Sequence, residues 1–311
     1  MPFQLTILGC NSAIPTTERK PTAQLLNVAE RFFLIDCGEG TQLQLRKYKI
    51  KMQHIHHIFI SHLHGDHYFG LIGLISTMHL LGREKELHIY SPPELKEIIY
   101  LQLAASKTEL KYPLFFHSFG FDKPQLIMEN SKLSVETIPL NHSLPCCGFL
   151  FKESPKLRRM KKHLIERYNI PLDKIQGIKE GNDFVLESGE VISHLELTRP
   201  VQKSRSFAFC SDTSYYPQIV PQIKGVDLLY HEATFLHELK ERAEQTKHST
   251  AKEAAMIADQ AQVKNLVIGH YSQRYFDLNP LLNEAQSIFP STSLAVEGET
   301  HEIIRSYGAD S

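Results

Sequence analysis

Seven residues, Ser61 to His67 (SHLHGDH), constrain this chain more than any other stretch: three histidines and an aspartate follow directly on the apolar run Ile58, Phe59, Ile60. A buried strand that ends in imidazole and carboxylate groups presents the donors that zinc and related divalent ions prefer. In a tight loop alternate side chains converge on one ion, whereas in a regular strand only every second residue shares a face. With 17 histidines in 311 residues some clustering is expected from composition alone. Asp66, set among His62, His64 and His67, turns the cluster into a metal motif.

Other predicted strands end in the same way. Leu133 to Leu140 leads to His142, Phe207 to Cys210 leads to Asp212, and Leu266 to Ile268 leads to His270. A lone His142 or His270 would ordinarily be structural, but repeated placement at strand ends joins them to the heptad. The candidate metal ligands are therefore His62, His64, Asp66, His67, His142, Asp212 and His270. These exceed the needs of one four-coordinate ion and suit two ions that share a carboxylate, the arrangement of a dinuclear hydrolytic site.

The chain has the length for one large domain or two smaller ones and for a substantial core. Strands at Phe3–Ile7, Arg31–Ile35, Cys147–Phe151 and Val226–Tyr230 alternate with helical spacing at Leu71, Leu74, Ile75 and Met78 and after Pro92-Pro93, which predicts a layered α/β or α+β body. Five cysteines without a CxxC pair suit reduced thiols. The first residues alternate like a strand and lack the pattern of a signal peptide, and no segment has the length of a membrane span, so a cytoplasmic protein without a membrane partner is expected. A net charge of -1 gives no global sign of nucleic-acid affinity; any such affinity needs a local basic patch.

The pattern HxHxDH followed by distant His, Asp and His resembles the metallo-β-lactamase superfamily, which implies a four-layer αββα sandwich with metals at one sheet edge. "SHLHGDHYFGL" (Ser61–Leu71), "HEATF" (His231–Phe235) and "HST" (His248–Thr250) narrow the resemblance to ribonuclease Z, the tRNA 3′-processing endoribonucleases, over nearly the whole chain. By that similarity His62, His64 and His142 would hold one zinc, His67 and His270 the other, with Asp212 bridging and Asp66 ligating the second ion while helping activate water. Two zinc ions per subunit are implied, with Mn2+ or Fe2+ also compatible with such donors. Glu232 and His248 would work beside the metals, His248 as phosphate contact or acid and Glu232 as its orienter. A plainer reading of this stretch is a capping box, Thr250 with Glu253, opening a helix Ala251–Ala261. Asp36 is expected behind the ligands rather than among them, and His54, His56 and His57 are expected to be structural.

Between the His142 and Asp212 segments lies a long interruption, expected to form an inserted arm over residues 152–196 within the single 1–311 domain. Ser154-Pro155 predicts a helix start, with Leu157, Met160, Leu164, Ile165 and Tyr168 on one face. Seven cations against two glutamates lie between Lys152 and Arg167. Lys156, Arg158, Arg159, Lys161 and Lys162 are the candidate RNA-binding residues, since phosphate contacts give affinity without base readout. The resemblance makes this insertion the counterpart of the family's tRNA-gripping arm, although "IPLDKIQG" (170–177) stands where a glycine-proline stretch is usual. It also implies a homodimer, with precursor tRNA as partner and no DNA.

The expected function is zinc-dependent removal of the 3′ trailer from precursor tRNA by phosphodiester hydrolysis, leaving a 3′-hydroxyl. The early loop Pro15–Gln24 (PTTERKPTAQ), where relatives carry a loop tied to the cut position, leaves the cleavage register open. One rival is a hydrolase of small phosphodiesters or thioesters on the same fold. A second is an RNA-binding protein with structural metals, which the open, cysteine-free ligand set argues against.

Overall fold

The computed structural model describes residues 2–305. Its contacts divide the chain into two compact units, Met1–Lys152 with Ser206–Ile303, and Glu153–Arg205 with the tail from Ile304. Among the described residues the first unit holds two seven-stranded sheets. Strands β1 (Phe3–Gly9), β2 (Ala23–Val28), β3 (Arg31–Ile35), β4 (Ile55–Phe59), β5 (Leu87–Ser91) and β6 (Leu114–Ser118) lie in chain order in one sheet, with β18 (Thr300–Glu302) beside β1. The other sheet runs β17 (Thr292–Leu294), β16 (Leu266–Gly269), β15 (Leu228–Glu232), β14 (Ser206–Cys210), β9 (Cys147–Glu153), β8 (Leu133–Pro139) and β7 (Leu126–Glu129).

The sheets pack face to face through aromatic side chains. Phe59 of β4 meets Phe149 and Phe151 of β9 with ring centroids 5.4 and 5.3 Å apart, and Phe33 meets Phe151 at 6.2 Å. Alternation along β4 and its neighbours sends the opposite set, Leu34, Ile58 and Ile89, into a second core. There they pack with Leu71, Leu74, Ile75 and Met78 of the helix Leu71–Leu80 and with Leu95, Ile99 and Leu103 of the helix Glu94–Ala105. The helix Ala251–Gln260 buries Ala251, Ala254, Ala255 and Ala258 against the second sheet. Helices outside and two sheets inside make the four-layer αββα sandwich.

Strand direction decides where the loops gather. β3, β4, β5 and β6 are mutually parallel, as are β14, β15, β16 and β17. β9 runs antiparallel to β14 with Phe149 opposite Phe209, so its start and the preceding turn lie at the carboxyl end of β14. Carboxyl ends of parallel strands are where α/β sheets ordinarily place their ligands.

The second unit has its own small core of Leu164, Ile170, Ile178, Ile192 and Leu197. It contains the helices Lys162–Arg167 and Leu172–Glu180 and two short ribbons, β10 (Arg159–Met160) with β13 (Thr198–Arg199) and β11 (Phe184–Val185) with β12 (Val191–Ile192). The helix predicted from Ser154 is not formed. Met160 pairs instead with Thr198, and Arg158 Nε donates to Thr198 Oγ1 at 2.6 Å, so strand pairing overrides the helical spacing until Lys161. Cations placed on one helical face by the sequence are thereby split. Lys156 and Arg159, with Arg199, line a 350 Å³ cleft; Arg158 is half-buried against Thr198; Lys161 and Lys162 open the following helix.

Candidate metal centre

The carboxyl ends of β4, β14 and β16 and the β8–β9 turn bring all seven candidate ligands together. Two glycines permit the close approach that seats the first loop. A Cβ at Gly38 would lie 2.4 Å from the Asp66 carbonyl oxygen, and one at Gly70 would lie 2.1 Å from that of Gly38. The Asp36–Gly40 and Asp66–Gly70 segments are tied by Cys37 N–H to the His67 carbonyl (2.7 Å) and Gly70 N–H to the Cys37 carbonyl (2.9 Å).

Ligand atoms of His62, His64, His142 and Asp212 form one group and those of Asp66, His67 and His270 another, each with all its atoms within 4.8 Å of one another. Asp212 divides its oxygens between them. Oδ2 lies 3.7 and 3.6 Å from Nε2 of His62 and His142, while Oδ1 lies 3.1 Å from Nε2 of both His67 and His270. Asp66 Oδ2 stands 3.4 Å from His67 Nε2 and 3.5 Å from His270 Nε2. Donors about 2.0–2.1 Å from one tetrahedral ion are roughly 3.3 Å from each other, which is the scale of these separations.

The other ring nitrogens are already engaged, and this decides which atom each histidine offers. His67 Nδ1–H donates to Asp36 Oδ2 at 2.7 Å, and Asp36 also accepts from the Ser61 amide and hydroxyl at 2.8 and 3.0 Å. Ser61 Oγ in turn accepts from His62 Nδ1 at 3.1 Å. His142 Nδ1–H donates to the Lys247 carbonyl at 2.9 Å, and His270 Nδ1–H to Thr234 Oγ1 at 3.1 Å. Nε2 is left on each of the four.

A divalent ion fits this donor set. Nε2 of His67 and of His270 are buried yet make no hydrogen bond, although Asp212 Oδ1 is near each, so both aim at a point between the side chains. His62 Nε2 and His142 Nε2 both face His64 Nδ1, at 3.0 and 3.1 Å, and a single proton cannot serve all three nitrogens. Burial pushes the pKa values of His62, His64 and His142 down, leaving their lone pairs free. Burial also works against a proton on His67, but Asp212, Asp66 and Asp36 around it draw one on, raising its pKa. Burial likewise opposes charge on Asp212 and Asp66, yet His270, His67 and His62 about the former, and His67 and His270 about the latter, hold both carboxyls well below the usual range. A cavity that concentrates carboxylate charge this strongly has the electrostatics of a cation site.

Glu232 and His248 adjoin this cluster. His248 Nδ1–H donates to Glu232 Oε1 at 2.9 Å, and its ring centroid lies 5.1 Å from that of His142 and 5.4 Å from that of His270. Glu232, fully buried, also accepts from the Thr213 amide (2.7 Å), the Ser249 amide (3.1 Å) and the Thr234 hydroxyl (2.6 Å). Burial of His248 opposes its charge, but the Glu232 carboxylate prevails and raises its pKa to about 9. The capping box of Thr250 and Glu253 is present as well, so the two readings of this stretch coexist.

Asp36 stands behind the ligands, bonded to His67. Ser61 and Thr234 hydrogen-bond candidate ligands and were not singled out from the sequence; the signal was their place inside SHLHGDH and HEATF. The Lys247 carbonyl carried no side-chain signal at all. His57 lies outside the cluster and stacks between Phe33 and His88 at 5.4 and 5.3 Å.

Comparison with known proteins finds relatives in sequence and in fold. Residues 3–158 match the family described as "Anti-Pycsar protein Apyc1", a span that holds His62 to His142 but ends before Asp212 and His270. Ribonuclease Z of Bacteroides thetaiotaomicron is 52% identical over 295 residues, 95% of this chain and 93% of that protein. The crystal structure of human tRNase Z, short form, aligns with a TM-score of 0.70 at 26% identity, covering 97% of this chain and 99% of that one. A metallo-beta-lactamase fold protein from Bacillus subtilis aligns with a TM-score of 0.68 at 18% identity over 97% of this chain and 100% of its own.

Proposed function

This chain belongs to the ribonuclease Z family, and we propose from that premise how its residues divide the work. It is a metal-dependent endoribonuclease of tRNA 3′ processing. The single observation that carries the assignment of the site is the split of Asp212 between two histidine groups, the arrangement of a bridging carboxylate.

We assign two zinc ions to the site: His62, His64 and His142 would hold one and Asp66, His67 and His270 the other, with Asp212 shared between the two groups. When bound, the ions would stabilise charge on the phosphate oxygens and lower the pKa of a water molecule. The Asp66 carboxylate, kept ionised by His67 and His270, accepts the proton of the attacking water. The Glu232 carboxylate raises the His248 pKa to about 9 and so keeps the ring as the imidazolium; with Nδ1–H held by Glu232, the ring gives its Nε2 proton to the ribose O3′ as the P–O3′ bond breaks. The tRNA leaves with a 3′-hydroxyl and the trailer keeps the phosphate. Proton exchange with solvent then restores both side chains. Glu232, bound by four donors, acts as a positioning residue.

Residues 152–196 are assigned to binding the tRNA body, through Lys156, Arg158, Arg159, Lys161 and Lys162. A homodimer in the cytoplasm completes the reading; no helix among the described residues is long and apolar enough to cross a membrane. Metal analysis and sedimentation test the zinc content and the dimer.

The deciding experiment is incubation of zinc-loaded protein with a precursor tRNA, comparing the unaltered chain with Asp66→Ala and mapping the new 3′ end. A cut beside the discriminator base, lost in the variant, supports the reading and sets the register. Hydrolysis of a small phosphodiester without any cut in precursor tRNA would overturn it.

A further inference from the structure

Three cations, Lys156, Arg159 and Arg199, line the cleft of the second unit together with Gln202, and no carboxylate does. None of the three makes an ion pair among the described residues. One wall of this cleft is held by a residue from the far end of the chain, Arg305, which lies 103 residues beyond Gln202. We propose that Arg305 is a positioning residue for RNA binding: it fixes the Gln202 wall and keeps Glu153 from neutralising Lys156, so that the three cations stay open to a backbone phosphate of the tRNA. The inference rests on the assignment of residues 152–196 to tRNA binding, and it extends that surface to Arg199 and to the tail.

The hydrogen bonds supply the first reason. Arg305 Nη1 donates to Gln202 Oε1 and Nη2 to Glu153 Oε1, each at 2.7 Å. A planar guanidinium fork can hold two such partners at once, which a point-charge ammonium does not do in the same geometry. Glu153 Oε1 accepts also from Arg205 Nη2 at 2.7 Å, and Oε2 accepts from the Arg205 amide and Nε at 3.1 and 3.0 Å. All of these partners belong to the second unit. Four donors fill the roughly four lone-pair sites of a carboxylate, so Glu153 has none left for Lys156.

Electrostatics supply the second. Burial lowers the Lys156 pKa, and the charges of Arg305, Arg205 and Arg159 lower it further against the pull of Glu153. A cleft whose cations repel one another, with no acid to answer them, favours an anion from outside. The RNA backbone brings such an anion without base readout. Both Nη groups of Arg305 are engaged, so it acts through the cleft and not on the phosphate. Without Arg305 one donor leaves Glu153 Oε1, and that oxygen becomes free to pair with Lys156.

The test measures kcat and KM on a precursor tRNA at several salt concentrations. The proteins are the unaltered chain, Arg305→Ala, Gln202→Ala, Arg199→Ala, Lys162→Ala, and Arg305→Ala combined with each of the last two. Arg305→Ala is expected to raise KM by about 2- to 5-fold, the weight of one exposed ion pair, with the change in KM and not in kcat. Arg199→Ala should raise KM and reduce the salt slope by about one, as loss of a phosphate contact does. Joined to Arg199→Ala, Arg305→Ala should cost less than the product of the single effects, because both act on one cleft. Joined to Lys162→Ala, on the helix Lys162–Arg167, the effects should multiply. Gln202→Ala takes one partner from Arg305 and leaves Glu153 bonded, so it should raise KM even where Arg305→Ala does not fold. An unchanged KM in both variants would overturn the proposal, as would effects of Arg305→Ala and Arg199→Ala that simply multiply, or a loss of kcat that follows a lowered melting temperature. If no cation of the insertion moves KM when replaced, the assignment of the insertion to tRNA binding fails, and the role of Arg305 with it.

Discussion

Asp36, Asp212, His270 and Lys247 all hold left-handed backbone, with φ between 54° and 58°. Non-glycine residues there cost roughly 1–2 kcal/mol each, and such residues gather where surrounding structure imposes them for function. Lys247 allows a direct check, because it is the C-cap of the helix Lys240–Thr246 and its carbonyl receives His142 Nδ1–H. Lys247→Gly should raise stability by about 0.5–1 kcal/mol without raising activity, since a freer carbonyl orients His142 less well. Chemical denaturation beside single-turnover cleavage measures both, and a simultaneous gain in activity would contradict the positioning role. At His248 the expected cost of His248→Ala is between about 10²- and 10⁴-fold in the cleavage step, with metal content unchanged. A loss of bound metal in that variant would make His248 a ligand instead.

At the scale of elements, the second unit is closed by one buried charge cluster. Glu153, 7% exposed, accepts from Arg205 at 2.7 and 3.0 Å and from Arg305 at 2.7 Å. Burial opposes the Glu153 charge, but hydrogen bonds from Arg205 and the charges of both arginines lower its pKa. Because the folded value is the lower one, this carboxylate's stabilisation is fully present above the unfolded pKa, near 4.3, and is lost as pH falls through the folded value. Glu153→Gln should therefore lose stability at pH 7, by about 1–3 kcal/mol as charge-assisted hydrogen bonds become neutral ones, and show a flatter acid limb below pH 4.3. Urea titrations between pH 3 and 7 test this; parallel curves for both proteins would sink it. The same unit shows why helical spacing after Ser154 misled: Leu157 is half exposed, and Met160 gains more from the ribbon with Thr198 than from another helical turn.

For the whole molecule, a metal cluster that joins loops of both sheets couples binding to folding. A ligand at a thousand times its Kd adds about 4 kcal/mol, which for a chain of this size is a melting shift of roughly 6 °C. Chelation should remove that shift and zinc restore it, while an unchanged melting temperature would argue against a metal centre. That Ser61 to His67 and the histidines and aspartate after later strands are candidates for one cluster was legible in the sequence, because metal-donor chemistry is local and a strand-end position shows as an apolar run broken by a polar residue. The sandwich was legible through its motif and through alternation along its strands. What only the tertiary structure decided is how those loops meet: that Asp212 turns one oxygen to each histidine group, and that Ser61, Thr234 and the Lys247 carbonyl fix the ring nitrogens. These depend on parallel strand order and on contacts between segments far apart in the chain, such as His142 and Lys247. No local spacing encodes them, because the energy that sets them arises only once both sheets have packed.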